Sequence, residues 1–171
     1  MSPALADQVN AVELAGRAAK VERRLGLDRL PRLADAGALE GTSVRALLGF
    51  DSFAGHATVA VRIEGVVVLP CQRCLRPCVC GIDESTTLAV VASDEDEVPG
   101  GYEPLLGDAE RLSLGALIEE QVLLGLPLVP MHVDVAECGM GRPTEVEAAT
   151  RHDDRQRPFA NLRDLLDQGS H

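Results

Sequence analysis

The segment Leu69–Gly81, which reads L-P-C-Q-R-C-L-R-P-C-V-C-G, contains four of the five cysteines of this chain. Cys71 and Cys74 have the C-x-x-C spacing with which two thiolates can bind one tetrahedral metal ion from a tight turn. A zinc ion needs two further ligands there. A site with four protein ligands leaves no open position, so the spacing indicates a structural rather than a catalytic metal centre.

The remaining ligand candidates lie in two places. Cys138 follows His132 by six residues in a glycine-flanked loop, E-C-G-M-G, and either side chain could hold the loop after Pro130 against the cysteine segment. Cys78 and Cys80 alternate by two, so on a strand their side chains would point to the same face. We predict the ligand set Cys71, Cys74, Cys138 and His132, with Cys78 and Cys80 as alternatives for the fourth position.

Two other interpretations of the thiols remain open. Reduced thiols can simply pack, and a reducing compartment disfavours a disulfide framework for the five cysteines. A thiol oxidoreductase would place the first cysteine at a helix N-terminus, where the helix dipole lowers its pKa. Pro77 and the strand-like flanks provide no such helix. Because no nucleophile–base motif, phosphate loop or dinucleotide fingerprint occurs, we interpret the protein as non-enzymatic.

The charge is distributed unevenly along the chain. The formal net charge is −11. Nine acidic residues and no basic one lie in Asp83–Glu110, whereas Glu13–Arg32 contains six basic and three acidic residues. An apolar run of about 18 residues is absent, and the first residues do not resemble a secretory signal, so a cytoplasmic protein with no membrane span is expected.

Two helices are predicted near the N-terminus. Apolar residues recur with helical spacing over Val12–Leu25, and the basic side chains share the opposite side. A second, short helix is expected to begin at Pro31 and to end at Gly37, since proline suits a first turn and glycine a left-handed cap.

The middle of the chain has the period of two that is typical of strands. In Thr58–Glu64 the residues Val59, Val61 and Ile63 are predicted to face inward. A buried strand, V-V-V-L, follows after a bend or bulge at Gly65, and Thr86–Ala92 is expected to return as its partner. The cysteines would therefore lie at the turn of a β-hairpin.

A later helix is predicted over Leu114–Gly125, with Ser113 as its N-cap and with Glu119 and Glu120 exposed. The fold class is α+β: N-terminal helices, an antiparallel β-sheet with a cysteine-bearing hairpin, one later amphipathic helix and a mobile C-terminal tail. Residues 1–140 are predicted to form a single domain, 141–157 a flexible linker, and 158–171 a short docking segment.

The ordered set of motifs resembles a known family. L-P-C-Q-R-C-L-R-P is followed by G-Y-E-P, by I-E-E-Q-V-L-L-G-L-P-L-V-P-M-H, by Cys138 and by P-F-A-N-L. This combination is similar to the YceD family of bacterial large ribosomal RNA subunit accumulation proteins. Family members resemble one another in a C-x-R-C motif and in a later Leu-Pro-Leu-Val-Pro-x-His segment followed by a cysteine.

The resemblance implies a cytoplasmic factor that supports the synthesis, processing or stability of 23S ribosomal RNA. The expected partner is precursor 23S RNA or a large-subunit assembly particle. The candidate RNA-binding residues are basic: Arg17, Lys20, Arg24, Arg29, Arg73 and Arg76. A protein-binding adaptor that recruits basic ribosomal proteins through Asp83–Glu110 is the alternative, and a thiol oxidoreductase is a third hypothesis. The cofactor considered is one structural zinc ion.

Overall fold

Within the described residues, the fold combines three short α-helices with a five-stranded sheet. The computed structural model describes residues 7–93 and 96–139. The helices are α1 (Ala11–Gly16), α2 (Pro31–Asp35) and α3 (Leu114–Leu124). The strands are β1 (Gln8–Val9), β2 (Lys20–Gly26), β3 (Ser43–Phe53), β4 (His56–Pro70), β5 (Pro77–Val91), β6 (Glu103–Leu106) and β7 (Leu112–Ser113). This architecture confirms the predicted α+β class.

The larger sheet has the strand order β2-β3-β4-β5-β6. The first four strands form an antiparallel meander, and β6 is parallel to β5. Strands β1 and β7 form a separate two-stranded sheet. The long β4–β5 hairpin pairs without interruption from Thr58 opposite Ala89 to Pro70 opposite Pro77. The predicted hairpin is therefore present, and its turn contains Cys71 and Cys74.

One face of the larger sheet packs against the helices. The predicted inward residues of β4, Val59, Val61 and Ile63, are buried, and they belong to the same apolar cluster as Leu117 and Ile118 of α3. The opposite face carries the alternate side chains of the strands, most of them exposed and polar. We call this side the open face, and its charged members are Lys20, Glu22, Arg24, Arg45, Asp51, Arg62, Glu64 and Asp83.

The predicted helix Val12–Leu25 is wrong in its second half. Helix α1 ends at Gly16, and Ala18 adopts a left-handed backbone with φ 47°. The chain then continues as β2, whose residues pair with β3 from Lys20 opposite Gly49 to Gly26 opposite Ser43. Pairing with a distant strand prevailed over the local helical pattern, as tertiary context often does.

The bend expected at Gly65 is also absent, because β4 continues through it. Gly65 lies opposite Val44 of β3 and Ile82 of β5. A Cβ atom at this position would lie 2.4 Å from the carbonyl oxygen of Ser43. Glycine is needed here because β3 approaches closely, and not because the strand turns.

The short helix at Pro31 and the later helix form as predicted. Helix α2 begins at Pro31. The Ser113 hydroxyl caps α3 by accepting a hydrogen bond from the Ala116 N–H. Glu119 was expected to be exposed, but it is only 4% exposed, and its carboxylate accepts the Leu33 N–H at 3.0 Å. The reason is that Leu30, the N-cap of α2, supplies no side-chain acceptor, so a carboxylate from α3 takes that role.

The structural description ends at Gly139. The predicted linker, residues 141–157, and the docking segment, residues 158–171, lie outside the described residues.

Candidate metal centre

The β4–β5 turn holds Cys71 and Cys74 in a fixed local geometry. The Cys71 N–H donates to the Arg76 carbonyl at 2.9 Å, and the Leu75 N–H donates to the Cys71 carbonyl at 2.8 Å. Leu75 has a left-handed backbone with φ 62°, which closes the turn. Both thiols thus come from one tight turn at the end of a long two-stranded ribbon.

The loop after α3 brings the other two candidates to this turn. The Gln72 N–H donates to the Pro130 carbonyl at 2.9 Å. The Asp134 carboxylate accepts the Ala136 N–H at 2.8 Å and so caps a short 3₁₀ turn, Val135–Cys138. Gly139 ends that turn in the left-handed conformation. These contacts position His132 and Cys138 against the hairpin tip.

The four side chains Cys71, Cys74, His132 and Cys138 form one cluster, whose potential ligand atoms all lie within 4.8 Å of one another. The sulfurs of Cys71 and Cys138 are 3.9 Å apart. The His132 Nδ1 atom is 3.6 Å from the sulfur of Cys74 and 3.6 Å from that of Cys138. Ligands about 2.3 Å from a tetrahedral zinc ion would be separated by about 3.8 Å. The donor set and its spacing fit zinc.

The orientation of His132 also suits a metal ligand. Its Nε2 atom is 3.0 Å from the Pro77 carbonyl oxygen. A carbonyl can only accept, so Nε2 carries the proton and donates. The lone pair of Nδ1 then faces the three sulfurs. A ring nitrogen that is oriented by a hydrogen bond from the other nitrogen is the usual arrangement of a metal-bound histidine.

Two arginines of the turn support the cluster from outside. Arg73 donates a hydrogen bond to the His132 carbonyl at 2.8 Å, and Arg76 donates to the Glu137 carbonyl. Both guanidinium groups therefore join the hairpin tip to the later loop. A zinc ion with three thiolates and one histidine would carry a formal charge of −1, which neighbouring arginines stabilise.

The cluster also perturbs the protonation of its members. Burial raises the pKa of the Cys71 thiol, but hydrogen bonds from the backbone N–H groups of His132, Arg73 and Cys74 outweigh it and bring that pKa to about 5. Burial raises the pKa of Cys138 above its ordinary value. Contact with Cys71 raises the pKa of His132. Cys71 lies at a strand end, away from any described helix N-terminus.

Cys78 and Cys80 lie outside the four-residue cluster. Both are buried on the inward face of β5, as their spacing predicted. The Cys78 thiol donates to the Leu69 carbonyl at 3.3 Å. Burial raises the pKa of Cys78 to about 11, so this group is a protonated, packed thiol.

The predicted RNA-binding residues are distributed over two regions. Arg17, Lys20, Arg24 and Arg29 are exposed near the start of the chain, and Lys20 and Arg24 lie on the open face. Arg73 and Arg76 are at the hairpin tip. Arg45 and Arg62, which were not among the predicted RNA-binding residues, lie on the open face as well. The alternation of Thr58–Glu64 predicts that Arg62 points outward. The residues beside Arg62 on the adjacent strands are known only from the strand register.

Comparisons with known proteins agree with the motifs. The family model described as "Large ribosomal RNA subunit accumulation protein YceD" matches residues 59–166, more than half of the chain. The large ribosomal RNA subunit accumulation protein YceD of Haemophilus influenzae (strain ATCC 51907 / DSM 11121 / KW20 / Rd) is 34% identical over 74 residues, which are 42% of each chain. The chain thus matches less than half of that relative's length. No solved structure matches.

The matched range includes all four members of the cysteine–histidine cluster. None of the helices formed by residues 7–93 and 96–139 has the length and apolar character needed to cross a bilayer. The resemblance inferred from the ordered motifs is confirmed by the family match. The chain belongs to the YceD family of large ribosomal RNA subunit accumulation proteins.

Proposed function

We propose that this protein supports the accumulation of 23S ribosomal RNA by binding precursor RNA or large-subunit assembly particles, and that it does so without catalysing a reaction. The family description supports the link to the large-subunit RNA. The relative from Haemophilus influenzae carries the same description in its name.

The observation that carries the proposal is the closed cysteine–histidine cluster. Its four donors surround one point and are the right number to saturate a tetrahedral ion. Zinc bound there would supply a cross-link between the hairpin tip and the loop after α3, with no position left for substrate. The cluster therefore supports a scaffold whose surface is fixed in shape, rather than a reactive centre.

The basic residues provide the means of RNA contact. Lys20 and Arg24 are exposed on the open face, and Arg17 is exposed just before β2. The chain has a net charge of −11. Phosphate binding therefore requires these cations to be separated from the acidic segment, because its carboxylates repel the RNA phosphates.

The test is association of the purified protein with pre-ribosomal particles at about 50 mM salt, where phosphate contacts are strong. We expect binding that weakens steeply as salt is raised, and that is lost when Arg17, Lys20 and Arg24 are each replaced by glutamate. A wild-type protein that does not associate with these particles at low salt would contradict direct binding.

The acidic segment favours a second candidate, a protein-binding adaptor. Asp83, Glu84, Glu97 and Glu103 are exposed, and they could recruit basic ribosomal proteins that contact the RNA themselves. A pulldown after nuclease treatment separates the two functions. An adaptor keeps its partners when the RNA is degraded, whereas an RNA-binding factor loses them.

A further inference from the structure

The open face contains an unusual cross-strand pair of like charges. Arg24 of β2 lies directly opposite Arg45 of β3 in the antiparallel register. Like charges in such a position destabilise a sheet. A single carboxylate serves both: Glu22 Oε1 accepts from Arg24 Nε at 3.2 Å and from Arg45 Nε at 2.9 Å. Glu22 thus compensates the two like charges, while 75% of the Arg24 side chain and 44% of the Arg45 side chain remain exposed.

A depression of about 470 Å³ lies beside these two arginines. Its lining includes Gly26, Ser43 and Gly65, so part of its wall is backbone and a small hydroxyl. Glu64 is the acidic residue of the lining. The volume lies within the range of ligand pockets, and the two guanidinium forks at its rim have the geometry that binds phosphate oxygens in pairs.

The surrounding face extends this cationic area. Lys20 is exposed on β2, and Arg62 lies on β4 opposite Leu47. Four cations and four carboxylates (Glu22, Asp51, Glu64 and Asp83) make the open face formally neutral, in a chain whose net charge is −11. The arginines are engaged in exposed ion pairs, which are weak and can be exchanged for phosphate contacts.

A stacked aromatic pair borders the same face. Phe53, at the end of β3, stacks on Tyr102 with ring centroids 5.5 Å apart, and Phe53 is 52% exposed. The outward residues Thr58 and Ala89 are buried at this end. The accessible part of the face therefore runs from the exposed ring of Phe53 to the depression beside Arg24 and Arg45.

We infer that the open face of the sheet, centred on Arg24, Arg45 and the adjoining depression, is the surface that binds the RNA sugar–phosphate backbone. This inference rests on the proposed function and specifies its contact surface. Lys20 and Arg62 extend the phosphate contacts along the face. The exposed guanidinium groups of Arg24 and Arg45 favour RNA phosphate as the ligand, because they would repel a basic protein segment.

The test uses the full-length protein and two labelled probes, a short single-stranded RNA of mixed sequence and an RNA stem-loop. The variant Arg24→Gln/Arg45→Gln is expected to weaken binding at least roughly tenfold, and to reduce the slope of log K against log salt by about 1.4 to 1.8, for two lost phosphate contacts. A comparison of the affinities for the two probes shows whether the surface binds the backbone of single-stranded RNA or that of helical RNA.

The matched control is Arg32→Gln/Arg111→Gln, which makes the same change in net charge beside α3, where both residues line another depression. We expect a nearly unchanged salt slope. Equal losses in both double variants would overturn the inference, because they would show a dependence on net charge alone. Equal thermal unfolding midpoints of the two variants are required for this comparison.

A third variant, Glu22→Gln, removes the carboxylate shared by Arg24 and Arg45, and is expected to tighten RNA binding. A loss of fold cannot produce that result. If Arg24→Gln/Arg45→Gln still binds RNA and pre-ribosomal particles as the wild type does, the surface is wrong and the proposed function stands. If the wild-type protein binds neither RNA nor particles but captures basic ribosomal proteins, both the surface and direct RNA binding are wrong.

Discussion

The Nε2 atom of His132 lies 3.0 Å from the carbonyl oxygen of Pro77, the first residue of β5. This hydrogen bond assigns the proton of the imidazole to Nε2 and turns the lone pair of Nδ1 toward the three sulfurs. A side chain from the loop after α3 is thus oriented by the backbone of the hairpin that supplies two of the other donors. The cluster is preorganised on both sides.

We predict one zinc ion per chain when the protein is purified without chelator. Elemental analysis should show that zinc is lost in Cys74→Ser and in His132→Ala, because each change removes one of four donors. The matched control is Cys78→Ser. The Cys78 thiol donates to the Leu69 carbonyl outside the cluster, so a hydroxyl can replace it and zinc should be retained. Absence of metal from the wild-type protein would contradict the proposal.

Zinc affinity should fall as the pH is lowered from about 8 to about 5, because protons and the metal compete for the same atoms. The raised pKa of Cys138 means that this thiol is protonated in the metal-free protein near neutral pH, and the raised pKa of His132 makes its imidazole bind a proton at a higher pH than an ordinary histidine. Metal binding must then release those protons. Cys71, with a pKa of about 5, contributes to the competition only at the acidic end of this range.

The measurement is a competition titration against a chromophoric chelator at several pH values. A plot of log affinity against pH is expected to rise with a slope of about one or more near neutral pH, one unit for each proton displaced. An affinity that does not change with pH would show that the thiols are already ionised, or that the ion binds elsewhere.

Glu119 should be a major contributor to stability despite its charge. Its carboxylate accepts the Leu33 N–H in the first turn of α2, where an acidic group also interacts favourably with the helix dipole. Glu119→Ala leaves that buried N–H without a partner and is expected to lower the free energy of unfolding by about 1–3 kcal/mol. Glu119→Gln retains an acceptor and should cost less.

Urea unfolding measures both changes, and Glu120→Ala is the neighbouring control. Glu120 forms an ion pair with Arg32 in which both side chains are about half exposed. Such pairs contribute at most about 1 kcal/mol. A larger loss for Glu120→Ala than for Glu119→Ala would contradict the assignment of the buried hydrogen bond.

Gly65→Ala is expected to destabilise the sheet, by about 1–3 kcal/mol or more. The new Cβ atom would lie 2.4 Å from the Ser43 carbonyl oxygen and 2.7 Å from the Cα atom of Val44. Backbone atoms of a paired strand cannot move aside as a flexible side chain can. The control is Gly81→Ala on the neighbouring strand β5, where a Cβ atom would meet nothing within 4 Å. The thermal unfolding midpoint should be lowered more by Gly65→Ala than by Gly81→Ala.

Features with a local cause were predictable from the sequence. The hairpin, the cap at Ser113 and the start of α2 at Pro31 each follow from side-chain chemistry within a few residues. The helix expected through Leu25 was wrong because a short amphipathic pattern can serve either a helix or an edge strand. The partner of β2 decides between them, and it lies later in the chain, with Gly26 paired to Ser43 and Lys20 paired to Gly49.

The candidate site was predictable in composition but not in assembly. Spacing alone selected Cys71 and Cys74, whereas Cys138, His132, Cys78 and Cys80 all remained eligible for the other positions. The loop contacts at Pro130 and Arg73 bring His132 and Cys138 to the tip. Those contacts join residues that are distant in the sequence. Arg45 could not be paired with Arg24 from the sequence for the same reason, because only the strand register makes these two residues neighbours.

The separation of 67 residues between Cys71 and Cys138 imposes an order on events during translation. The ribbon that carries the first two thiols is synthesised, and can pair, before the codons for His132 and Cys138 are read. During synthesis there is therefore an interval in which the hairpin tip carries only two of the four potential ligands, Cys71 and Cys74. Completion of the four-donor shell can occur only after the polypeptide has been made as far as Cys138, so a metal ion held by all four donors would mark a chain that has reached that length.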